Sequence, residues 1–415
     1  MPPRSTPGSS LGPTVLQVLP ALVTGGVERG TIEITEALTA AGWGAVVASA
    51  GGRLVKAVER AGGRHVTLKL ASRNPVTMWR NIARLEALIA AERVALVHAR
   101  SRAPAWSAWA AARRAGVPFV TTYHGVYNED LPGKRFYNSV MARGAVVIAA
   151  SRFVAAHVAA RHGVDPGRIR VIPRGVDPER FSPDAVSGAR VARLAAEWRL
   201  PEGMPEGMPE GLPEGLPEGR PEGGADGMPV VMLPGRLTGW KGQAVLVAAL
   251  SLLPGVMGVL VGSDQGRHRY RARLLRLAAR LGVSARLRLV GECADMPAAL
   301  ALADVVVHAS VRPEAFGRVV IEAQAMGRPV IAADLGGPAE TVMDRVTGWL
   351  VAPADAVALA GAIRAVLALP AAERAAVGAA ARAAVLAGAT VAGMQAATLA
   401  VYREVLGLDG VAPAG

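Results

Sequence analysis

The chain has 415 residues, 51% of them apolar and 19% charged, a single cysteine and a formal net charge of +13. That length is too great for one ordinary core and implies two domains; the lone Cys293 excludes a disulfide framework and fits a reducing, cytoplasmic setting; and 4% aromatic residues without a recognised binding motif give no basis for a nucleic-acid partner. The positive charge is concentrated early, with 24 Lys+Arg against 12 Asp+Glu in residues 1–185, which suits phosphorylated substrates or peripheral contact with the anionic inner face of the cytoplasmic membrane, unless arginine is simply the chain's preferred solubilising residue.

Residues 1–13 read as a flexible lead. The run "VLQVLPALV" (15–23) reads as a first strand rather than a secretory core, since Gln17 and Pro20 interrupt it and no small-residue cleavage pattern follows. Further apolar runs come at "GAVVASA" (44–50), "HVTLKL" (65–70), "VALVHAR" (94–100), "PFVTTYH" (118–124), "AVVIAAS" (145–151) and "IRVIPRG" (169–175), with amphipathic stretches such as "RNIARLEALIAAE" between them. Continuous apolar strands alternating with helices specify a parallel sheet covered on both faces, a Rossmann-like domain over 14–185. The pattern restarts at "PVVMLPGR" (229–236), "GVMGVLVGSD" (255–264), "RLRLVGE" (286–292), "ADVVVHAS" (303–310), "RPVIAAD" (328–334) and "TGWLVAP" (347–353), giving a second doubly wound domain over 186–391. Six copies of a Pro-Glu-Gly unit over 201–224 read as a disordered, solvated insert, and a last helix over 392–407 has no strand after it. Two charge-free windows of spanning length, Ala244–Ser263 and Ala383–Tyr402, are respectively broken by Pro254-Gly255 and too weakly apolar, so no transmembrane segment is expected.

The densest candidate chemistry lies in "RPEAFGRVVIEAQAMGRPVIA" (312–332), read as a loop, a helix opening near Gly317 and the next strand. In a doubly wound sheet that helix start falls at the carboxyl edge, where ligands bind. First-turn N–H groups of Gly317, Arg318 and Val319, with the helix dipole, favour a phosphate there. Glu314 and Glu322 would repel a phosphate but accept from vicinal diols, which a nucleoside diphosphate sugar carries at both ends. As isolated charges they read equally as an acid of the first turn and a solvated helix position. The loop "LPGRLTGWKGQ" (233–243) supplies Arg236 and Lys241, two cations for the two charges of a diphosphate, without P-loop spacing; with no Asp-x-Asp in the chain, no metal or other cofactor is required. In the first domain "VTGGVERG" (23–30) lacks dinucleotide spacing, so Gly25 and Gly26 read either as a point of close approach for a phosphate or an acceptor sugar or as a plain turn. Gly26 is placed with the donor, and Gly25, Glu28 and Ser151 with the acceptor. His124, at a strand end, is placed to donate to a sugar hydroxyl or orient the acceptor, the alternative being a structural histidine.

Taken together, "GGVERG", "ARSRAPAW", "TTYHG", "IAASRF", "VIPRGVD", "GRLTGWKGQ", "PEAFGRVVIEAQAMGRPVIA", Gly336-Gly337 and "TGWLV" resemble the retaining glycosyltransferases of family 4 over nearly the whole chain. The resemblance implies the GT-B fold, two Rossmann-like domains facing a deep cleft, with the terminal helix crossing back onto the first domain. The Glu-x7-Glu motif is matched by Glu314 and Glu322 with Phe316-Gly317 between, and the Arg-x4-Lys pair by Arg236 and Lys241. By resemblance the first Glu reads the transferred sugar, the second the nucleoside ribose, and the basic pair the diphosphate. The implied reaction is metal-independent transfer, with retention, to a glycan or lipid-linked acceptor, and "GGVERGTIEITEAL" and "ARSRAPAWSAW" resemble enzymes of lipopolysaccharide or capsule synthesis. Arg174 stands where the family more often has Asn, and the insert is a second departure. A sugar-nucleotide 2-epimerase of the same fold and a non-catalytic nucleotide-sugar-binding protein are the alternatives.

Overall fold

The computed structural model describes residues 12–23, 25–200 and 227–408; of the lead read over 1–13, residues 1–11 lie outside the described residues, as does the insert 201–224, while Gly12 and Pro13 belong to the first strand rather than to a flexible lead. The chain divides into two compact units, one of Met1–Pro173 with Val391–Gly415 and one of Arg174–Thr390.

In the first unit seven strands, β1 (Gly12–Val18), β2 (Trp43–Ser49), β3 (Arg64–Thr67), β4 (Val94–Ala99), β5 (Phe119–Tyr123), β6 (Val146–Ala149) and β7 (Ile169–Val171), alternate with helices α1 (Gly26–Ala40), α2 (Val55–Arg60), α3 (Pro75–Ala91), α4 (Arg102–Ala115), α5 (Lys134–Ser139) and α6 (Arg152–His162). The sheet order is β3-β2-β1-β4-β5-β6-β7, all neighbours parallel. Helices on both faces explain why β5 and β6 are buried at every residue and show no alternation. The edge strand β3, "RHVT", is short and half-exposed, as an edge that must not recruit another strand should be. Helix α3 starts where it does because Asn74 Oδ1 accepts from the N–H groups of Val76 and Thr77 while Pro75 occupies the first turn.

The second unit opens with α7 (Gly188–Glu197) and repeats the plan: β8 (Val230–Pro234), α8 (Gln243–Leu250), β9 (Met257–Val261), α9 (His268–Arg280), β10 (Leu287–Gly291), α10 (Met296–Ala301), β11 (Val305–His308), α11 (Arg318–Ala325), β12 (Val330–Ala333), β13 (Trp349–Val351), α12 (Ala356–Ala368) and α13 (Ala371–Gly388). Its six parallel strands run β10-β9-β8-β11-β12-β13. Val231, Leu246, Val247, Leu250, Val305, Ile331 and Ile363 are fully buried between sheet and helices, each such side chain contributing about 1.5–3 kcal/mol of transfer free energy.

The second unit starts at Arg174, earlier than the 185/186 boundary read from the sequence. The reason is local: the Val176 N–H donates to the Ala389 carbonyl at 2.8 Å, and Arg382 of α13 donates to the Phe181 carbonyl at 3.0 Å, so these residues are tied to the helix at the far end of their own unit. Helix α14 (Val391–Leu406) belongs to the first unit. Its Tyr402, fully buried, shares a 2.6 Å hydrogen bond with His98 Nδ1 of β4, and His98 Nε2 shares one of 2.7 Å with Thr122 Oγ1 of β5.

Candidate active site

In both sheets the chain reverses its direction of winding beside the first strand, between β1 and β4 and between β8 and β11. Loops leaving such a pair diverge at the carboxyl edge and leave a crevice. Lys241 lies in the loop after β8 and Glu314 in the loop after β11, so the basic and acidic motifs read separately in the sequence meet at the switch point of the second unit.

The two loops are held together by their backbones. The Val311 N–H donates to the Trp240 carbonyl at 2.8 Å. Gly242, at φ 77°, caps α8 so close to β11 that a Cβ would stand 1.7 Å from the Ala309 carbonyl oxygen; only glycine permits both the backbone angle and the approach. The acidic loop is pinned from its other side, where the Gly337 N–H donates to the Glu314 carbonyl at 2.9 Å. Gln243 Nε2 donates to the Arg236 carbonyl at 2.9 Å and its Oε1 accepts from the Tyr270 hydroxyl at 3.2 Å, fixing the near end of the basic loop.

Onto this frame the Lys241 ammonium is set 2.7 Å from each oxygen of Glu314, with both side chains largely buried, 13% and 12% exposed. His308 Nε2, at the end of β11, donates to Glu314 Oε1 at 2.8 Å, and the Ser310 hydroxyl donates to the same oxygen. Because a carboxylate only accepts, this geometry places the imidazole proton on Nε2. Burial alone would raise the Glu314 carboxyl; the hydrogen bonds and charges of His308 and Lys241 outweigh it and hold the group well below the usual carboxylate range. Neither His308 nor Ser310 was singled out in the sequence, because His308 is embedded in the apolar run "ADVVVHAS" and nothing in the run announces its partner.

Glu322 is not the solvated helix position that a lone charge suggests: it is 8% exposed, on the second turn of α11, 3.7 Å from Arg318 Nε. Phe316 is buried and serves packing rather than presenting a ring to solvent. Gly317, at φ 78°, caps α11, and a Cβ on it would meet Pro338 Cγ at 2.7 Å. Val319 lies half-buried in the first turn. Arg236 is exposed, and no ion-pair partner engages it among the described residues.

The remaining candidates lie in the first unit, at the carboxyl edge of its sheet. Gly25 caps α1 at φ 141° and Gly26 opens that helix; a Cβ on Gly25 would stand 2.6 Å from a carboxylate oxygen of Glu28, so that acid folds back over the turn. His124 follows β5 and is half-buried. Ser151 is buried and its oxygen accepts from the Val154 N–H at 3.2 Å, which accounts for it as the cap of α6 rather than as a group open to an acceptor. Arg174 is buried at the start of the second unit.

Two doubly wound parallel-sheet units in series, one with a carboxylate and cation clustered at its switch point, define a protein of the GT-B class. The pattern described as Glycosyltransferase Family 4 matches residues 24–180, and that described as Glycosyl transferases group 1 matches residues 218–384. The crystal structure of a glycosyltransferase from Rickettsia africae is 34% identical, superposes with a TM-score of 0.83 and is aligned over 96% of this chain and 99% of its own. A D-inositol 3-phosphate glycosyltransferase of Salinispora tropica is 32% identical over 312 residues, 69% of this chain but only 59% of that relative's length. Anabaena Alr3699/HepE, solved in complex with UDP and glucose, shares the fold at 24% identity, with a TM-score of 0.78 over 94% of this chain and 99% of its own. The chain belongs to glycosyltransferase family 4, the group 1 glycosyl transferases. Among the described residues no single helix is long and apolar enough to cross a membrane.

Proposed function

We propose that the chain transfers a sugar from a nucleoside diphosphate sugar to an acceptor hydroxyl, with retention of anomeric configuration and without a metal. The observation that carries the reading is the contact of Lys241 with both oxygens of Glu314 at the switch point. Such a pair is complementary to a sugar diphosphate, the ammonium to the phosphate and the carboxylate to the sugar hydroxyls. On binding, Lys241 exchanges the carboxylate for the diphosphate, while His308 and Ser310 keep Glu314 Oε1 and leave Oε2 to accept from the sugar. Glu322 is assigned to the ribose. The bond from the anomeric carbon to the diphosphate oxygen breaks, the acceptor oxygen bonds to the same face, and the acceptor proton passes to the leaving diphosphate. Arg236, Lys241 and the start of α11 stabilise the charge that grows on that group. His124, Gly25 and Glu28 are assigned to the acceptor side.

For the acceptor we take an anionic molecule, since the basic excess lies in residues 1–185. The name of the Salinispora relative supports a phosphorylated polyol, and a phosphate-linked glycan or lipid of the cell envelope presents the same chemistry. The test is to incubate the purified chain with UDP-, GDP- and ADP-sugars and each acceptor, with and without EDTA, following nucleotide release and the anomeric configuration of the product by NMR. Retention, undiminished by EDTA, is expected, with Lys241→Ala and Glu314→Ala each lowering transfer at least a hundredfold. An inverted product overturns the mechanism, near-normal rates in either variant overturn the site, and a sugar epimerised without acceptor identifies a 2-epimerase instead.

A further inference from the structure

The loop that carries Lys241 turns on itself, the Lys241 N–H donating to the Thr238 carbonyl at 3.1 Å, so Gly239 and Trp240 occupy the centre of the turn. Glycine suits that place. An indole does not, because turn centres favour small or polar side chains, and an apolar ring there gains little from folding. Trp240 stands outside the buried core of the second unit and is half-buried at the tip of its loop. Its backbone is nonetheless fixed: the Trp240 carbonyl accepts from the Val311 N–H at 2.8 Å, and Gly242, two residues on, lies against the Ala309 carbonyl. The ring is therefore held in place without being used to hold the unit together.

What the ring faces is the candidate donor site. The Lys241 ammonium lies over the indole, 4.8 Å from the ring centre, and 2.7 Å from each oxygen of Glu314. It is thus held between two negative features, the face of an aromatic ring and a carboxylate. When Lys241 turns to a diphosphate, the ring face and the acid are uncovered together, on opposite sides of the place the ammonium held. A phosphate is repelled by both. A nucleobase could cover the ring but would leave the acid without donors, and water would leave the indole face wet. A pyranose answers both at once, with polarised C–H bonds on one face of its ring and hydroxyl donors around its rim. We infer, on the transfer reading, that Trp240 is the platform on which the transferred sugar stacks while Glu314 accepts from its hydroxyls, and that the two together select a neutral pyranose. A uronate brings a second carboxylate up to an acid and an electron-rich ring and is disfavoured.

Calorimetric titration of the full chain with UDP, GDP and ADP, each free and as its glucose, galactose and mannose esters, gives the ratio of affinities between the tightest ester and its free nucleotide. Trp240→Leu, which keeps apolar bulk without an aromatic face, should lower that ratio roughly five- to tenfold, and Trp240→Phe should keep most of it. A merely structural role would weaken ester and free nucleotide alike; an unchanged ratio in Trp240→Leu therefore overturns the assignment. Should the leucine variant lose the loop altogether, the unaltered chain supplies a second measure. The hexuronate ester of the nucleotide it binds should be about tenfold weaker than the matching hexose ester, and equal binding overturns the selection of a neutral sugar. If the unaltered chain binds no nucleotide, the transfer reading itself fails and this assignment with it; nucleotide bound with a ratio indifferent to Trp240 removes the platform alone.

Discussion

Replacing Lys241 by Met removes a cation that sits 2.7 Å from both oxygens of a mostly buried carboxylate. Stripping one partner from a buried pair costs about 3–5 kcal/mol when the other charge is left alone. Glu314 is not left alone, because His308 and Ser310 still donate to Oε1, so the expected cost falls to about 2–3 kcal/mol. For a unit of this size that lowers its melting temperature by roughly 4–12 °C. Glu314→Gln should cost less, about 1–2 kcal/mol, since the flexible Lys241 stem can carry its ammonium to water. The double variant should then be less destabilised than the sum of the two, with a coupling of about 1–3 kcal/mol. The pH dependence follows from the depressed carboxyl of Glu314. A group whose folded pKa lies below its unfolded value stabilises above the latter, near 4.5 here, and loses that contribution as pH falls further toward the folded value. The gap between wild type and Glu314→Gln should therefore be widest at neutral pH and close progressively below 4.5. Thermal unfolding of the four proteins across pH, repeated with UDP and with UDP-glucose, measures all of this. Saturating nucleotide at about a hundredfold over its dissociation constant stabilises by about 2.7 kcal/mol. Lys241→Met should lose the UDP increment and Glu314→Gln only the extra increment of the sugar. Strict additivity of the two substitutions, or an undiminished UDP shift in Lys241→Met, would refute the exchange of partners.

Two further substitutions separate structural from chemical roles. Tyr402→Phe deletes a buried hydroxyl 2.6 Å from His98 and should destabilise the first unit by about 1–3 kcal/mol in urea unfolding while leaving nucleotide binding by the second unit intact. Gly242→Ala puts a methyl group 1.7 Å from the Ala309 carbonyl oxygen at a φ of 77°. It should cost at least about 2 kcal/mol and abolish the UDP shift by parting the loops that carry Lys241 and Glu314. A neutral result in calorimetry would show that the contact between the loops is soft.

The two histidines near the ends of fourth strands show where reading the sequence stops. His98 is the last residue but one of "VALVHA" in β4, and His308 ends "VVVH" in β11. Both are buried, both lie beside a switch point, and the local sequence of each is an apolar run interrupted by one imidazole. One is tied to Tyr402, 304 residues away; the other is tied to Glu314, six residues on. Period and composition determine that each run is a central parallel strand, because continuous apolar side chains can only be covered from both faces, and this is why the two-sheet architecture was legible in the residues. Lys241 and Glu314 were legible for a related reason: each follows a strand of that kind, so each had to appear at the carboxyl edge. Whether a buried imidazole then serves an acid or a helix depends on which element the rest of the chain brings opposite it. In the first unit that element is α14, which comes from the other end of the chain and fills the place with a phenol. In the second, a loop pinned by Gly337 and stitched to Trp240 fills it with a carboxylate. The same position in the fold therefore yields a structural strut in one unit and a clamp on the candidate sugar-binding acid in the other, and the difference is made by long-range packing rather than by the strand that carries the histidine.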